Sequence, residues 1–188
     1  PISLTQGPAL DAAVRILDFY ADLAATYDGS EDLGVVDTQA GPAHRPNSVA
    51  SSLGIAKRVI DDVTVIPYND PEALEWALSS GDVACFIVEP VLQNIGICLP
   101  DPGYLQAVRE ITERHGTLLI FDEVKTGITA GYGGATGHFG VQPDLITLAK
   151  SIGGGFPVGA FGGKAEYMEL ITTGKVLHLG TYNGNPLV

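Results

Sequence analysis

DLITLAKSIGGGFPVGAFGG, residues 144–163, sets a lone lysine between an apolar run and three successive glycines. Leu145, Ile146, Thr147 and Leu148 are apolar or β-branched at consecutive positions, the composition of a strand covered on both faces. PVGAFGG, residues 157–163, reads as a second strand, so the glycines form the return between the two. Lys150 thus leaves a buried strand onto backbone with almost no side chains. Gly153, Gly154 and Gly155 allow a tight turn with room for a flat ring.

Outward from that stretch, strands and helices alternate. DVTVIPY (62–68), DVACFIVEP (82–90) and TLLIFDE (117–123) are expected strands. PEALEWALSS (71–80) is an expected helix opened by Pro71 behind Asp70, and DPGYLQAVREITERHG (101–116) one that ends at Gly116. AEYMELITT (165–173) is a further short helix. The alternation predicts an α/β fold with a mostly parallel sheet flanked by helices. Toward the N-terminus, Ala13, Ile16, Leu17, Tyr20, Leu23 and Ala24 fall at helical spacing and predict a helix from about 8 to 25. Residues 28–58 are rich in Gly, Pro, Ser and Asp without a period and read as a long loop.

Ligands of such sheets lie beyond the carboxyl ends of the strands. The rule selects Glu89 after CFIV, Asp122 and Glu123 after LLIF, and Lys150 after LITL-Ala149.

Composition narrows the partners. Twenty-two Asp and Glu against 10 Lys and Arg leave a formal charge of −12, which argues against a nucleic-acid binder. No apolar run reaches the roughly 18 residues of a membrane helix, and the first residues carry no basic-then-apolar leader, so the expected location is cytoplasmic. Cys85 and Cys98 are too few and too far apart for a zinc site or a disulfide framework. The four histidines lack metal-ligand spacing, and no metal is expected. Lys125, Lys164 and Lys175 follow no buried strand and read as surface lysines.

Four apolar residues before Asp122 resemble the magnesium-holding strand of a nucleotide hydrolase, but no G-x-x-x-x-G-K-[ST] loop accompanies them. GGGFPVG also misses the dinucleotide fingerprint by one position. A carboxylate and a lysine at neighbouring strand ends suit pyridoxal phosphate instead. That cofactor needs an amine for its aldehyde and an acidic partner that keeps its ring nitrogen protonated.

LLIFDEVKTG, DLITLAKSIGGGFPVGAFGG and GTYNGNPL together resemble, in order and spacing, the large domain of class III pyridoxal-phosphate aminotransferases, most of all the glutamate-1-semialdehyde 2,1-aminomutase branch. The resemblance implies a PLP-dependent transferase of fold type I acting on small-molecule amino donors and acceptors, as a homodimer with its sites at the subunit interface. It implies that Lys150 carries the cofactor as a Schiff base and moves protons, that Asp122 pairs with the ring nitrogen, and that Val124 packs on the ring. Thr181 would reach the phosphate held by the neighbouring subunit. Asn94 and Glu89 match residues near the cofactor, and Tyr27 falls where the family has a ring-stacking aromatic.

The family's histidine after that aromatic is Asp28 here, and PISLTQGPAL supplies no phosphate-binding Ser-Gly-Thr. Residues 1–188 are therefore expected to form part of the large domain, with an N-terminal segment and a small C-terminal domain lying outside it. The competing expectation is an inactive relative or fragment that keeps the fold as an interaction module.

Overall fold

A computed structural model describes residues 36–40, 47–50, 54–181 and 183–186. The expected helix from 8 to 25 and Tyr27 lie outside the described residues.

The first described elements correct the long-loop expectation. Strand β1 (Val36–Ala40) pairs antiparallel with β2 (Asn47–Ala50), with Val36 opposite Ala50 and Ala40 opposite Asn47. Helix α1 (Lys57–Asp61) follows. Strands of four and five residues are too short to show a period against a Gly- and Pro-rich background. The strand expected at 62–68 does not form, and residues 63–67 run without helix or ladder. Pro67 cannot donate to a ladder. The segment is held by side chains instead: Ile66 and Tyr68 pack on the core, and Tyr68 Oη donates to the Pro90 carbonyl at 2.8 Å.

From residue 70 the expected elements form, with narrower bounds. Helix α2 (Pro71–Leu78) begins where Asp70 Oδ1 accepts from Ala73 N at 2.9 Å, and Pro71 occupies its first position. Strand β3 (Cys85–Val88) precedes helix α3 (Tyr104–His115), which lies between Gly103 (φ 85°) and Gly116 (φ 68°). Strand β4 (Leu118–Asp122) leads into the short helices α4 (Thr126–Thr129) and α5 (Gly134–Phe139). Strand β5 (Leu145–Leu148), a 3₁₀ turn (Lys150–Gly153), strand β6 (Ala160–Gly163) and helix α6 (Ala165–Thr172) complete the order.

The main sheet has the order β3-β4-β5-β6. β3, β4 and β5 run parallel, with Val88 opposite Phe121 and Asp122 opposite Thr147, and β6 returns antiparallel to β5. Three strands therefore end at one edge. Glu89, Asp122 and Lys150 leave the sheet there, as strand direction alone requires.

Side-chain alternation on β4 fills both faces. Leu119 and Phe121 join Leu74, Leu78, Leu105 and Val108 of α2 and α3, while Leu118 and Ile120 join Leu145 and Tyr167 of α6. Each such side chain contributes about 1.5–3 kcal/mol through burial, so the edge rests on a rigid base.

One buried carboxylate ties the layers together. Asp144 is 3% exposed; Oδ2 accepts from Leu119 N at 2.8 Å and Arg109 Nη1 at 2.9 Å, and Oδ1 accepts from Lys164 Nζ at 2.6 Å. Lys164 is thus an ion-pair partner of the core rim rather than a plain surface lysine. A Cβ at Gly163 would collide with the Asp144 carbonyl, which explains a glycine at that ladder position. Burial alone would raise the Asp144 carboxyl, but Lys164, the Leu119 amide and Arg109 outweigh it and hold the group below its usual range. A lowered folded value means the stabilisation is fully present above the unfolded carboxylate value of about 3.9 and is lost as pH falls through the folded one. Asp144→Asn is expected to cost about 2 kcal/mol at neutral pH. It should also flatten the stability loss below about pH 4 in denaturant titrations; an unchanged acid limb would contradict this role.

Candidate active site at the carboxyl edge of the sheet

Two adjacent carboxylates at the end of β4 meet opposite fates, because successive side chains of an extended chain point opposite ways. Glu123 turns inward and is 2% exposed. It accepts from Ala135 N at 2.6 Å, Thr136 N at 2.8 Å, Thr136 Oγ1 at 2.5 Å and Thr126 Oγ1 at 3.1 Å. The carboxylate therefore sits on the first amides of α5 and satisfies donors that a helix start leaves unpaired. Gly134, at φ 63°, would drive a Cβ into that carboxylate, so the close approach requires glycine.

Asp122 faces the edge with poorer provision. Val124 N donates to Oδ1 at 3.0 Å, and Thr147 Oγ1 stands 3.5 Å from the same oxygen. Burial raises its carboxyl above the usual range; the Val124 amide, Lys150, Thr147 and Lys125 pull the other way and do not cancel it. The group is a partly buried acid short of a cation, and a cationic ligand placed against it would relieve the burial cost.

Lys150 has an exposed side chain and a backbone φ of 54°. Only Asn69 shares a positive φ among the described non-glycine residues, and asparagine tolerates that region far better than lysine. Such a conformation costs roughly 1–2 kcal/mol, and it persists where the surroundings over-determine it. Here the β5–β6 ladder fixes one side through Leu148 and Ala160, and Gly154 (φ 56°) and Gly155 (φ 106°) reverse the chain on the other. Lys150 is the second residue past β5, after Ala149, and its charge acts on Asp122.

The third strand end is anchored separately. Gln93 N donates to Glu89 Oε2 at 3.3 Å, and Tyr68 holds the Pro90 carbonyl. Beyond them the chain folds into a small ribbon in which Leu92 and Cys98 exchange backbone bonds of 3.1 and 2.9 Å. Asn94 sits on this ribbon, and its Oδ1 accepts from Lys125 Nζ. Lys125, partly buried just after β4, is therefore tied to the ribbon through an exposed contact and is not a plain surface lysine.

Val124 is partly buried, two residues after Asp122. Thr181 is exposed at a turn in which Asn183 N donates to the Gly180 carbonyl at 3.1 Å. Just before it, His178 meets Phe161 of β6 edge-on at 5.2 Å. Sequence reasoning missed Thr147, Thr126 and Thr136 as carboxylate partners. Of these, only Thr126, one helical turn beyond Glu123, had a local spacing signal.

Both cysteines are free thiols, and burial pushes the Cys85 thiol up to about 11, where it is un-ionised and inert at neutral pH. Among the described residues, no three His, Cys, Asp or Glu side chains converge on a metal position. None of the described helices is long and apolar enough to cross a membrane.

Known proteins match most of the chain. Residues 16–188 match the family described as Aminotransferase class-III. The glutamate-1-semialdehyde 2,1-aminomutase of Methanocorpusculum labreanum is 48% identical over 167 residues, covering 88% of this chain and 40% of that protein. The protein of the same name from Sulfolobus acidocaldarius is 42% identical over 187 residues, covering 99% and 43%. Among solved structures, an omega-transaminase from Sphaerobacter thermophilus is similar at a TM-score of 0.76 and 34% identity, covering 93% of this chain and 44% of that one. A glutamate-1-semialdehyde-aminomutase variant from Pseudomonas aeruginosa PAO1, in complex with PMP, is similar at a TM-score of 0.65 and 30% identity, covering 89% and 39%. The chain spans about four-tenths of the length of these relatives.

Proposed function

The chain belongs to the class-III aminotransferases, and from that premise we propose that it builds the cofactor-binding core of a pyridoxal-phosphate-dependent aminotransferase or aminomutase. The substrate class is a small amino acid or amino aldehyde, in the manner of the glutamate-1-semialdehyde 2,1-aminomutases it resembles. The observation that carries the reading is the placement at neighbouring strand ends of Asp122, a partly buried carboxyl short of a cation, and Lys150, an amine on a left-handed backbone whose charge acts on it.

These residues fit the cofactor's chemistry. When bound, pyridoxal phosphate supplies an aldehyde that condenses with an amine and a protonated ring that takes up an electron pair. Asp122 would hold the proton on the ring nitrogen. Its carboxylate, costly when buried alone, becomes favourable beside that cation. Lys150 Nζ would hold the group covalently and afterwards take and return a proton at the substrate carbon. An amine on a strand end, backed by a ladder, can do this with little reorganisation. Val124 would bound one side of the ring, and Glu89 and Asn94 would line it from the β3 end. Tyr27 is proposed as an aromatic over the ring.

Asp122→Asn gives this reading a two-sided test. A raised folded carboxyl value stabilises only below the unfolded one, and that contribution is lost as pH rises through the folded value. At neutral pH the neutral amide is expected to leave the cofactor-free protein as stable as the parent or slightly more so. Cofactor binding followed by absorbance should weaken on the order of tenfold or more. Stability lost with binding intact would overturn the assignment.

We further propose a homodimer in which Thr181 donates to the phosphate held by the partner subunit. The exposed turn that carries it suits a contact across subunits. Sedimentation should show a dimer, and Thr181→Ala should weaken cofactor retention several-fold; a strict monomer with normal retention would sink this role. An aminomutase would isomerise an amino aldehyde without an added amino acceptor, whereas a transaminase would need one, and product analysis separates them.

A further inference from the structure

We infer that Lys125 is a positioning residue of this site: its ammonium holds the side-chain oxygen of Asn94 and so locks the ribbon after β3 to the end of β4. The inference rests on the cofactor reading above for the ligand it serves.

The contact joins residues 31 positions apart, and each end of it is anchored. Leu92 and Cys98 close the ribbon on one side. On the other, Thr129 Oγ1 donates to the Lys125 carbonyl at 2.6 Å and fixes the start of α4. An asparagine amide carries an acceptor at one end and donors at the other, and a flip of the side chain exchanges them. An ammonium at Oδ1 selects one orientation, because the flipped amide would set N–H against N–H. The end of Asn94 turned from Lys125 is then its donor end, which suits an acceptor or anionic oxygen on the ligand.

The charge has a second effect. The ionisable groups around this edge are Asp122 and the inward-turned Glu123 at the end of β4, Lys150 at the end of β5 and Glu89 at the end of β3, with Lys125 adding a second cation. Lys125 acts with Lys150 in drawing the Asp122 carboxyl toward its ionised form. A fixed positive charge nearby also disfavours protonation of the nitrogen that links cofactor to lysine.

The test loads the protein and its Lys125→Met and Lys125→Arg variants with pyridoxal phosphate. It measures cofactor affinity and the pH midpoint of the visible band of the lysine-linked cofactor. Lys125→Met is expected to raise the midpoint by about one pH unit and to weaken binding on the order of tenfold, with Lys125→Arg restoring most of both. In an Asn94→Ala background the affinity loss from Lys125→Met should largely vanish, since the two residues act as one unit. A wild-type midpoint and affinity in Lys125→Met, or an equal loss in both backgrounds, would overturn the inference while leaving Lys150 labelling intact. Absence of cofactor on Lys150 in the parent protein would overturn the cofactor reading and this inference together.

Discussion

Lys150→Ala is expected to abolish amino-group transfer, lowering the rate by on the order of a thousandfold or more, while the protein stays folded. The lysine serves twice at one position, as the amine that holds the cofactor and as the carrier of a proton at the substrate carbon. Lys150 stands two residues past β5, whereas Lys125 is bonded to Asn94 and Lys164 to Asp144. Alanine keeps the left-handed backbone of residue 150, so the fold loses no packing: the lysine side chain is exposed. Thermal unfolding should shift by only a few degrees, since surface substitutions usually stay within about 0.5 kcal/mol. Initial rates with a panel of amino donors check the first half of the statement. Retention of a tenth or more of the parent rate would remove Lys150 from its role.

Glu123→Ala is expected to produce the largest loss of stability of any change at this edge, about 4 kcal/mol or a melting temperature roughly 10 °C lower. Removal of the carboxylate strands two amides and two hydroxyls that it now serves. Each unmet donor costs about 1–3 kcal/mol, partly offset where a water molecule enters the space. Gln in place of Glu keeps one acceptor oxygen but sets an N–H2 against donors, so it should recover only part of the loss. The contrast with Asp122→Asn is the informative part. Neighbouring carboxyls of one strand end should separate cleanly, Glu123 into stability and Asp122 into cofactor affinity. Chemical denaturation of both variants, with and without cofactor, would reveal a reversed assignment.

Much of this edge was legible because strand direction and residue chemistry act locally. LLIFD and LITL are apolar on both faces, and a strand covered on both faces must deliver Asp122 and Lys150 to the same rim as its parallel neighbour. Asp70 with Pro71, and Gly116, mark helix ends through capping that needs no tertiary information. Other features depended on distant partners. Glu123 looked equivalent to Asp122 until Ala135 and Thr136 approached it from α5. Lys125 and Lys164 looked like surface lysines because Asn94 and Asp144 are remote in sequence. The strand expected at 62–68 had the right alternation, but Tyr68 found the Pro90 carbonyl and residues 63–67 joined no ladder. The left-handed backbone of Lys150 had no sequence signal of its own, although the glycines that follow it marked the turn.

The central claim is that Lys150 carries the cofactor. Its most direct test is to mix the protein with pyridoxal phosphate, reduce with borohydride, and locate the added phosphopyridoxyl mass by peptide mass spectrometry. A single stable mark is expected on Lys150, one that disappears in Lys150→Ala and weakens in Asp122→Asn. Marks scattered over exposed lysines such as Lys57 and Lys175, or no mark at all, would contradict it.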